Sequence, residues 1–172
     1  MHPKHHGFTL LESMIVMAIL AIVLSLAVPS MVDIRNRSQV DAVQRDLISA
    51  MNAGRALAIT QGQPVSLCAS SDGVHCDGVW QQWILVSGAV PAASSAASVL
   101  RNASFMGVDV AASATGVTWQ STGEVNHSLT LSLCPPDQAD QRQVSLSLIG
   151  RPRGSLDLDR DGVHNLPTGS CP

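Results

Sequence analysis

The sequence predicts an α+β fold in which a long N-terminal helix, transmembrane in its first half and amphipathic in its second, packs on an antiparallel β-sheet head. Three observations predict it. Residues 8–28 are apolar apart from one acid, residues 29–62 carry apolar side chains at helical spacing, and after Pro64 apolar and polar side chains alternate. A period near 3.6 residues indicates a helix with one buried face, and a period of two indicates strands.

The apolar run 8–28 is long enough to cross a bilayer once, because a helix rises about 1.5 Å per residue and the run therefore reaches roughly 30 Å. Its single charge is Glu12. A carboxylate inside lipid is unfavourable unless it is paired, so this acid needs a partner. Residues 1–7 are short and basic through Lys4, and no good small-residue cleavage site follows the run. An uncleaved signal anchor is therefore one interpretation, favoured over a secretory signal peptide.

The helix is expected to continue beyond Pro29, because apolar residues recur near helical spacing while charged residues fall mostly on other faces. It should end near residues 61–64, since glycine can cap a helix and proline cannot extend one. We interpret the apolar stripe as core packing. Its members are Val40, Val43, Leu47, Met51 and Ala58.

Three later stretches alternate apolar and polar residues and predict half-buried strands of one antiparallel sheet. They begin at Val65, Leu129 and Val144, and the third is expected to include Leu148. Residues 79–88 predict a less regular strand, and the small residues of 88–98 predict an exposed loop. Nothing in residues 63–172 indicates a second domain.

The four cysteines, Cys68, Cys76, Cys134 and Cys171, allow three disulfide pairings. Proximity in the chain favours bonding the first to the second and the third to the fourth. A zinc site that uses cysteines and His75 is the alternative, but no C-x-x-C pair supports it. Disulfides place the head in an oxidising compartment outside the cytoplasm.

The N-terminus resembles that of the type IV pilin and pseudopilin family. A short basic leader is followed by Gly7, the aromatic Phe8, an apolar helix with Glu12 at the fifth mature position, and the helix-bending Pro29. The resemblance implies that prepilin peptidase cuts between Gly7 and Phe8 and methylates the new amino group. It also implies that Glu12 pairs with the N-terminal amine of a neighbouring subunit when the helices leave the inner-membrane lipid and assemble into a filament.

The head resembles the minor-pilin group that contains FimT, FimU and the pseudopilin GspH. The segments that carry this resemblance are "VSLCASSDGVHCDGVWQQWILV", "GEVNHSLTLSLC" and "RQVSLSLIGRPRG". Together with the N-terminus, the resemblance implies a leader at 1–7, a transmembrane helix at 8–28, its amphipathic continuation at 29–62 and a β-rich head at 63–172. The resemblance is weakest over residues 88–116 and after Gly154.

The "GRPR" tetrapeptide, Gly150 to Arg153, matches the G-R-x-R motif that is associated with DNA binding in FimT-type minor pilins. Alternate residues of a strand project to one side, so Arg151 and Arg153 could meet successive phosphates of double-stranded DNA. The binding would be weak and non-specific, and Arg142 and Arg160 would extend it. The alternative interpretation is an exposed strand end solvated by two arginines.

The acidic segment that follows begins like a calcium loop, with Asp157, Asp159 and Asp161 at D-x-D-x-D-G spacing. Thr168 occupies the twelfth position, where a calcium loop has a bidentate glutamate, and no helix follows. An Asp-rich turn is therefore favoured over a calcium site, and no cofactor is expected.

Charge and motifs together favour a non-enzymatic filament subunit. Removal of residues 1–7 leaves nine arginines against 13 acids, so any nucleic-acid contact requires a local patch. Ser70, Asp72 and His75 lie close in the chain, but inside the expected disulfide ring they indicate a turn.

We expect a minor pilin of a type IV pilus in the bacterial inner membrane, with a periplasmic head that later reaches the cell surface and binds DNA for natural transformation. The alternatives are the H-type pseudopilin of a type II secretion system and a monomeric membrane-anchored periplasmic domain.

Overall fold

The computed structural model describes residues 10–89, 99–135, 141–155 and 171, and gives only the backbone of residues 26–33. The described chain forms one helix and eight strands. These are α1 (Leu10–Gln61), β1 (Val65–Ser70), β2 (Gln82–Ser87), β3 (Val99–Ser104), β4 (Asp109–Ala112), β5 (Gly116–Trp119), β6 (Leu129–Cys134), β7 (Arg142–Leu146) and β8 (Pro152–Gly154). The chain divides into two compact units, residues 1–37 and 38–172.

In the first unit, every described side chain between residues 10 and 25 is exposed. Among the described residues, no helix combines the length and apolar character needed to cross a membrane. The predicted span 8–28 includes residues whose side chains lie outside the description, so the span stays a prediction. The bend at Pro29 also stays a prediction, because it falls within residues 26–33.

In the second unit, the amphipathic half of α1 buries the stripe that its spacing predicts. Leu47, Met51 and Ala58 are completely buried, and Val40 and Val43 are nearly so. The helix ends at Gln61, where Gly62 adopts a φ of 66° that a side chain would disfavour. The predicted end of the helix is therefore confirmed.

The strands form two antiparallel sheets instead of the single sheet that we predicted. The first has the order β3-β2-β1-β5 and the second has the order β4-β6-β7-β8. Buried residues of both sheets join the helix stripe in one core, which includes Leu85 and Trp119 from the first sheet and Leu131 and Val144 from the second. A smaller cluster of Cys68, Ile84 and Val86 covers the opposite face of the first sheet.

The prediction of half-buried strands is wrong for β1, whose six residues are all buried. Leu67 faces the main core and Cys68 faces the smaller cluster, so both faces of the strand are covered. Polar side chains on this strand are satisfied by hydrogen bonds. The Ser66 hydroxyl donates to the carbonyl of Gly88 at 2.6 Å and lies 2.9 Å from the Thr118 hydroxyl.

The outer edge of β5 is closed by a neighbouring segment of irregular chain. The Thr118 N–H donates to Asn126 Oδ1 at 3.0 Å, and the Asn126 N–H donates to the Thr118 carbonyl at 3.2 Å. His127 Nε2 donates to the Gly116 carbonyl at 2.8 Å. An amide and an imidazole thus occupy positions that a paired strand would otherwise fill.

Replacing Leu47 with alanine should test the central role of the helix stripe. The lost side chain leaves a cavity between the helix and the sheets, so we expect the free energy of unfolding to fall by about 2–5 kcal/mol. Urea unfolding of the detergent-solubilised chain, followed by tryptophan fluorescence, measures the change. Leu100→Ala is the matched control, because Leu100 is 44% exposed on β3. Equal losses for both variants would contradict the assignment of the core.

Candidate functional site

The "GRPR" segment lies at a tight hairpin between β7 and β8. The Gly150 N–H donates to the Ser147 carbonyl at 2.8 Å, and the Ser147 N–H donates to the Arg151 carbonyl at 3.3 Å. The three loop residues are therefore Leu148, Ile149 and Gly150, and the left-handed glycine at the end is typical of this hairpin type. The prediction that Leu148 continues a buried strand is wrong, since β7 ends at Leu146 and Leu148 is exposed.

Gly150 is buried against a second turn of the chain. Its φ is 74°, and a Cβ atom there would lie 2.1 Å from the carbonyl oxygen of Gly123. Its own carbonyl accepts a hydrogen bond from Trp119 Nε1 at 3.5 Å. These contacts leave Gly150 no surface for DNA, which corrects the expectation that it is a DNA contact. The residue instead positions the arginine that follows it.

Arg151 and Arg153 are both exposed, whereas Pro152 and Gly154 between and beyond them are half-buried. They lie at the start of β8 and not, as we predicted, at the end of the strand that begins at Val144: Arg151 closes the hairpin loop, and Arg153 lies in β8 opposite Ser145. Within the described part of the chain, neither guanidinium forms an ion pair. Arg160 and the predicted calcium ligands Asp157, Asp159 and Asp161 lie outside the described residues.

Arg142 does not extend this patch, although we predicted that it would. Its guanidinium donates to the Asp41 carboxylate on α1, and only 13% of its side chain is exposed. The nearby Gln44 amide donates to the Gln143 carbonyl at 3.2 Å. The arginine therefore holds β7 to the helix and is not available for a phosphate.

Arg55 is a cation beside the turn that the sequence did not single out. It lies on α1, and its Nε donates to the Gly123 carbonyl at 3.1 Å. This is the same carbonyl that packs against Gly150, so helix, turn and hairpin meet at one point. The only acid described in the 119–125 turn is Glu124, which is exposed.

The structure bonds Cys68 to Cys76 and Cys134 to Cys171, the pairing that chain proximity favours. The ring closed by the first bond holds the turn residues that we predicted. Asp72 accepts hydrogen bonds from the backbone N–H groups of Val74 and His75, both at 2.8 Å. No group of three or more metal-binding side chains occurs within the described ranges.

The acids of this ring have lowered pKa values. A hydrogen bond from the His75 ring at 2.6 Å, aided by the backbone N–H groups, holds the pKa of the Asp72 carboxyl well below its usual range. The Ser71 hydroxyl and two backbone N–H groups lower the pKa of Asp77 in the same way. Both carboxylates are therefore ionised acceptors that order the turn. Neither is set up as a proton donor, which agrees with a structural role for the ring.

Comparison with known proteins identifies the family. Residues 44–150, more than half of the chain, match the model of the family described as type II transport protein GspH. The chain belongs to the GspH family. Residues 2–28 of this GspH-family protein match the prokaryotic N-terminal methylation motif. It is accordingly a minor pilin or pseudopilin of the group that contains FimT, FimU and GspH.

Solved structures show the same fold at low sequence identity. The type IV minor pilin FimU of Pseudomonas aeruginosa is 19% identical with a TM-score of 0.55, over 67% of this chain and 92% of FimU. The minor pseudopilin EpsH of the Vibrio cholerae type II secretion system is 16% identical with a TM-score of 0.52, over 67% of this chain and 95% of EpsH. No curated protein sequence matches the chain.

The N-terminal residues implicated by the resemblance are described only in part. Glu12 lies in the first turn of α1 and is exposed, while Gly7 and Phe8 lie outside the described residues. The match to the methylation motif covers all three positions. Their roles in cleavage, methylation and assembly stay predictions.

Replacing Gly150 with alanine should show whether the hairpin rests on the Gly123 carbonyl. Left-handed strain and the backbone collision together should lower the free energy of unfolding by about 2–5 kcal/mol in urea unfolding. Gly107→Ala is the matched control, because Gly107 has a φ of 81° with nothing within 4 Å of an added Cβ. Gly107→Ala should lower the free energy of unfolding through backbone strain alone, by about 1–2 kcal/mol. Equal costs would show that the turn does not sit on Gly123.

Proposed function

We propose that this chain is a minor pilin of a type IV pilus that helps pilus assembly and binds DNA for uptake. Prepilin peptidase removes residues 1–7, and the apolar part of α1 holds the protein in the inner membrane with the head in the periplasm. The match to the methylation motif supports processing. The two disulfides support an oxidising compartment for the head.

The exposed apolar start of α1 supports assembly with other pilins. Every side chain from residue 10 to residue 25 is exposed in the isolated chain, including Leu10, Met17 and Leu24. Such a surface is not stable in water, so it requires lipid or the helices of other subunits. Glu12 within it would pair with the amine of a neighbouring subunit, which removes the cost of an isolated charge.

The observation that supports DNA binding is the pair of exposed arginines held by the hairpin. Arg151 and Arg153 flank Pro152, and the backbone of Arg151 is fixed by the Ser147 hydrogen bonds. Guanidinium groups suit phosphates because their donors form a rigid fork. The mature chain has no lysine, so its permanently cationic side chains are all arginines. The acidic excess elsewhere keeps the binding weak, and phosphate contacts carry no sequence preference.

A second candidate function is that of an H-type pseudopilin in a type II secretion system. The GspH family match and the likeness to EpsH favour it, whereas the two exposed arginines favour the pilus. Deletion of the gene separates the two, because loss of surface pili indicates the first and loss of protein secretion the second. A monomeric anchored domain would keep its leader, so mass spectrometry would find Met1 or His2 at the N-terminus.

The proposal includes no catalytic activity. Members of this family are structural subunits of filaments. The Ser70 hydroxyl donates to Asp72 and accepts from the Gly73 N–H, so it serves the turn and is not positioned as a nucleophile.

Replacing Glu12 with alanine should separate insertion from assembly. Membrane insertion should be unchanged or improved because a charge is removed from an apolar segment, while incorporation into filaments should fall because the pairing is lost. Immunoblots of membrane fractions and sheared surface filaments measure both. Glu12→Asp, which keeps the charge, should retain part of the incorporation. Normal incorporation of the alanine variant would contradict the pairing.

Replacing Arg151 and Arg153 with glutamine should abolish measurable binding of a fluorescent duplex. With about two to four phosphate contacts, the wild-type chain in detergent should bind with micromolar or weaker affinity near physiological salt, and log K should fall against log salt with a slope of roughly −2 to −4. The melting temperature should barely change, since both side chains are exposed. Lysine at both sites should restore part of the binding.

The matched control is Arg35→Gln with Arg37→Gln, which removes the same charge from two exposed helix residues. It should bind the duplex like the wild type. If the wild-type chain shows no binding at low salt and high micromolar concentration, the DNA part of the proposal fails. The secretion pseudopilin then becomes the better answer.

A further inference from the structure

The tip of the β7–β8 hairpin exposes two adjacent apolar residues where polar ones are usual. Leu148 and Ile149 occupy the central positions of the turn and are 60% and 56% exposed. Turn positions favour Gly, Asn, Asp, Ser and Pro because their side chains or backbones suit the turn. Scattered exposed apolar residues are ordinary, but two neighbours at the end of a hairpin form a small exposed apolar patch.

The backbone of this tip is held firmly against the rest of the head. The Val125 N–H donates to the Leu148 carbonyl at 3.0 Å, on one side of the turn. On the other side, Gly150 packs on Gly123 and bonds to Trp119. A turn fixed in this way loses little conformational entropy when it binds a partner, so its apolar side chains are preorganised for contact.

The charges around the tip indicate which partner it fits. Arg151 directly follows the loop, Arg153 lies two residues further, and Arg55 is bonded to the turn on which the loop rests. Glu124 is the acid described nearby. Exposed apolar residues next to arginines are the combination found in proteins that insert apolar wedges into the minor groove and use basic side chains beside them.

We propose that Leu148 and Ile149 form a wedge that enters the minor groove of duplex DNA and partly unstacks one base step, while Arg151 and Arg153 bind the flanking phosphates. This inference rests on the proposed DNA-binding function. The minor groove of B-DNA is about 6 Å wide, too narrow for a two-stranded hairpin, so only the Leu148 and Ile149 side chains enter it, at a step where a kink opens the groove. Flexible TA steps and nicked duplexes should therefore bind more tightly than stiff A-tracts.

The test compares the full chain in detergent with a Leu148→Ser, Ile149→Ser variant on a duplex that carries 2-aminopurine at a TA step. The wild type should raise the 2-aminopurine fluorescence, because the base is unstacked. The variant should show no rise in fluorescence, and its affinity for the duplex should be about tenfold lower than that of the wild type. The slope of log K against log salt should stay the same, because the phosphate contacts remain.

Two further variants control for position and for folding. Val79→Ser with Leu100→Ser removes two exposed apolar residues elsewhere, 45% and 44% exposed, and should behave like the wild type. Leu148→Phe with Ile149→Phe keeps an apolar wedge and should retain the fluorescence rise. This second result shows that the wedge requires apolar side chains, and an unchanged melting temperature of the serine variant shows that its loss does not come from misfolding.

Each outcome decides the proposal. If the serine variant binds like the wild type and neither changes the fluorescence, the wedge is overturned while DNA binding through the arginines stands. If the wild type binds no duplex, the proposed DNA function fails and the wedge fails with it. If the serine variant binds DNA like the wild type but is incorporated less into sheared filaments, the wedge is also overturned, and the tip is assigned to a contact between subunits.

Discussion

The head is organised around the burial of one apolar stripe of α1. Leu47 and Met51 are fully buried, and residues of both sheets pack on the same stripe. Each sheet must cover the apolar face that it turns inwards, and buried residues of both sheets pack with the helix stripe in one core. At Gly54 the approach is so close that a Cβ atom would lie 2.9 Å from Leu85 Cδ1 and 3.0 Å from Trp119. The position of Trp119, and through it the position of the β7–β8 hairpin, therefore follows from the helix.

Polar contacts fix the second sheet on that apolar base. Arg142 on β7 binds Asp41, and Gln44 binds the Gln143 carbonyl, so one strand is joined twice to the same face of α1. Burial of a charge is costly unless it is paired, and the partner must therefore stay in place. Apolar packing alone would tolerate small slips of the strand. These directional contacts favour one position of β7 along α1. They therefore also fix where the hairpin after β7 places Arg151.

Local patterns in the sequence predicted the parts of the fold that depend on local spacing. The helix stripe and its end at Gln61 follow from residues that are close in the chain, and so does the turn closed by Cys68 and Cys76. The strand β3 was missed because it is an exposed edge strand with Arg101 and Asn102 in its middle. Likewise, β4 and β5 are only four residues long, too short for alternation to stand out.

The candidate site was predicted in composition but not in geometry, because its geometry comes from contacts between distant residues. The G-R-x-R motif was enough to single out Arg151 and Arg153 as candidate DNA contacts, and both side chains are exposed as such a contact requires. The burial of Gly150 depends on Gly123, and the withdrawal of Arg142 depends on Asp41, which is 101 residues away. Neither contact leaves a periodic signal in the sequence.

The covered edge of β5 also comes from contacts between distant residues, and it matters wherever copies of the head come close together. Backbone groups left open on a strand template the growth of a continuous intermolecular sheet, and such growth does not reverse easily. Asn126 and His127 occupy these backbone groups of β5, so the edge offers no open ladder on which such growth could start.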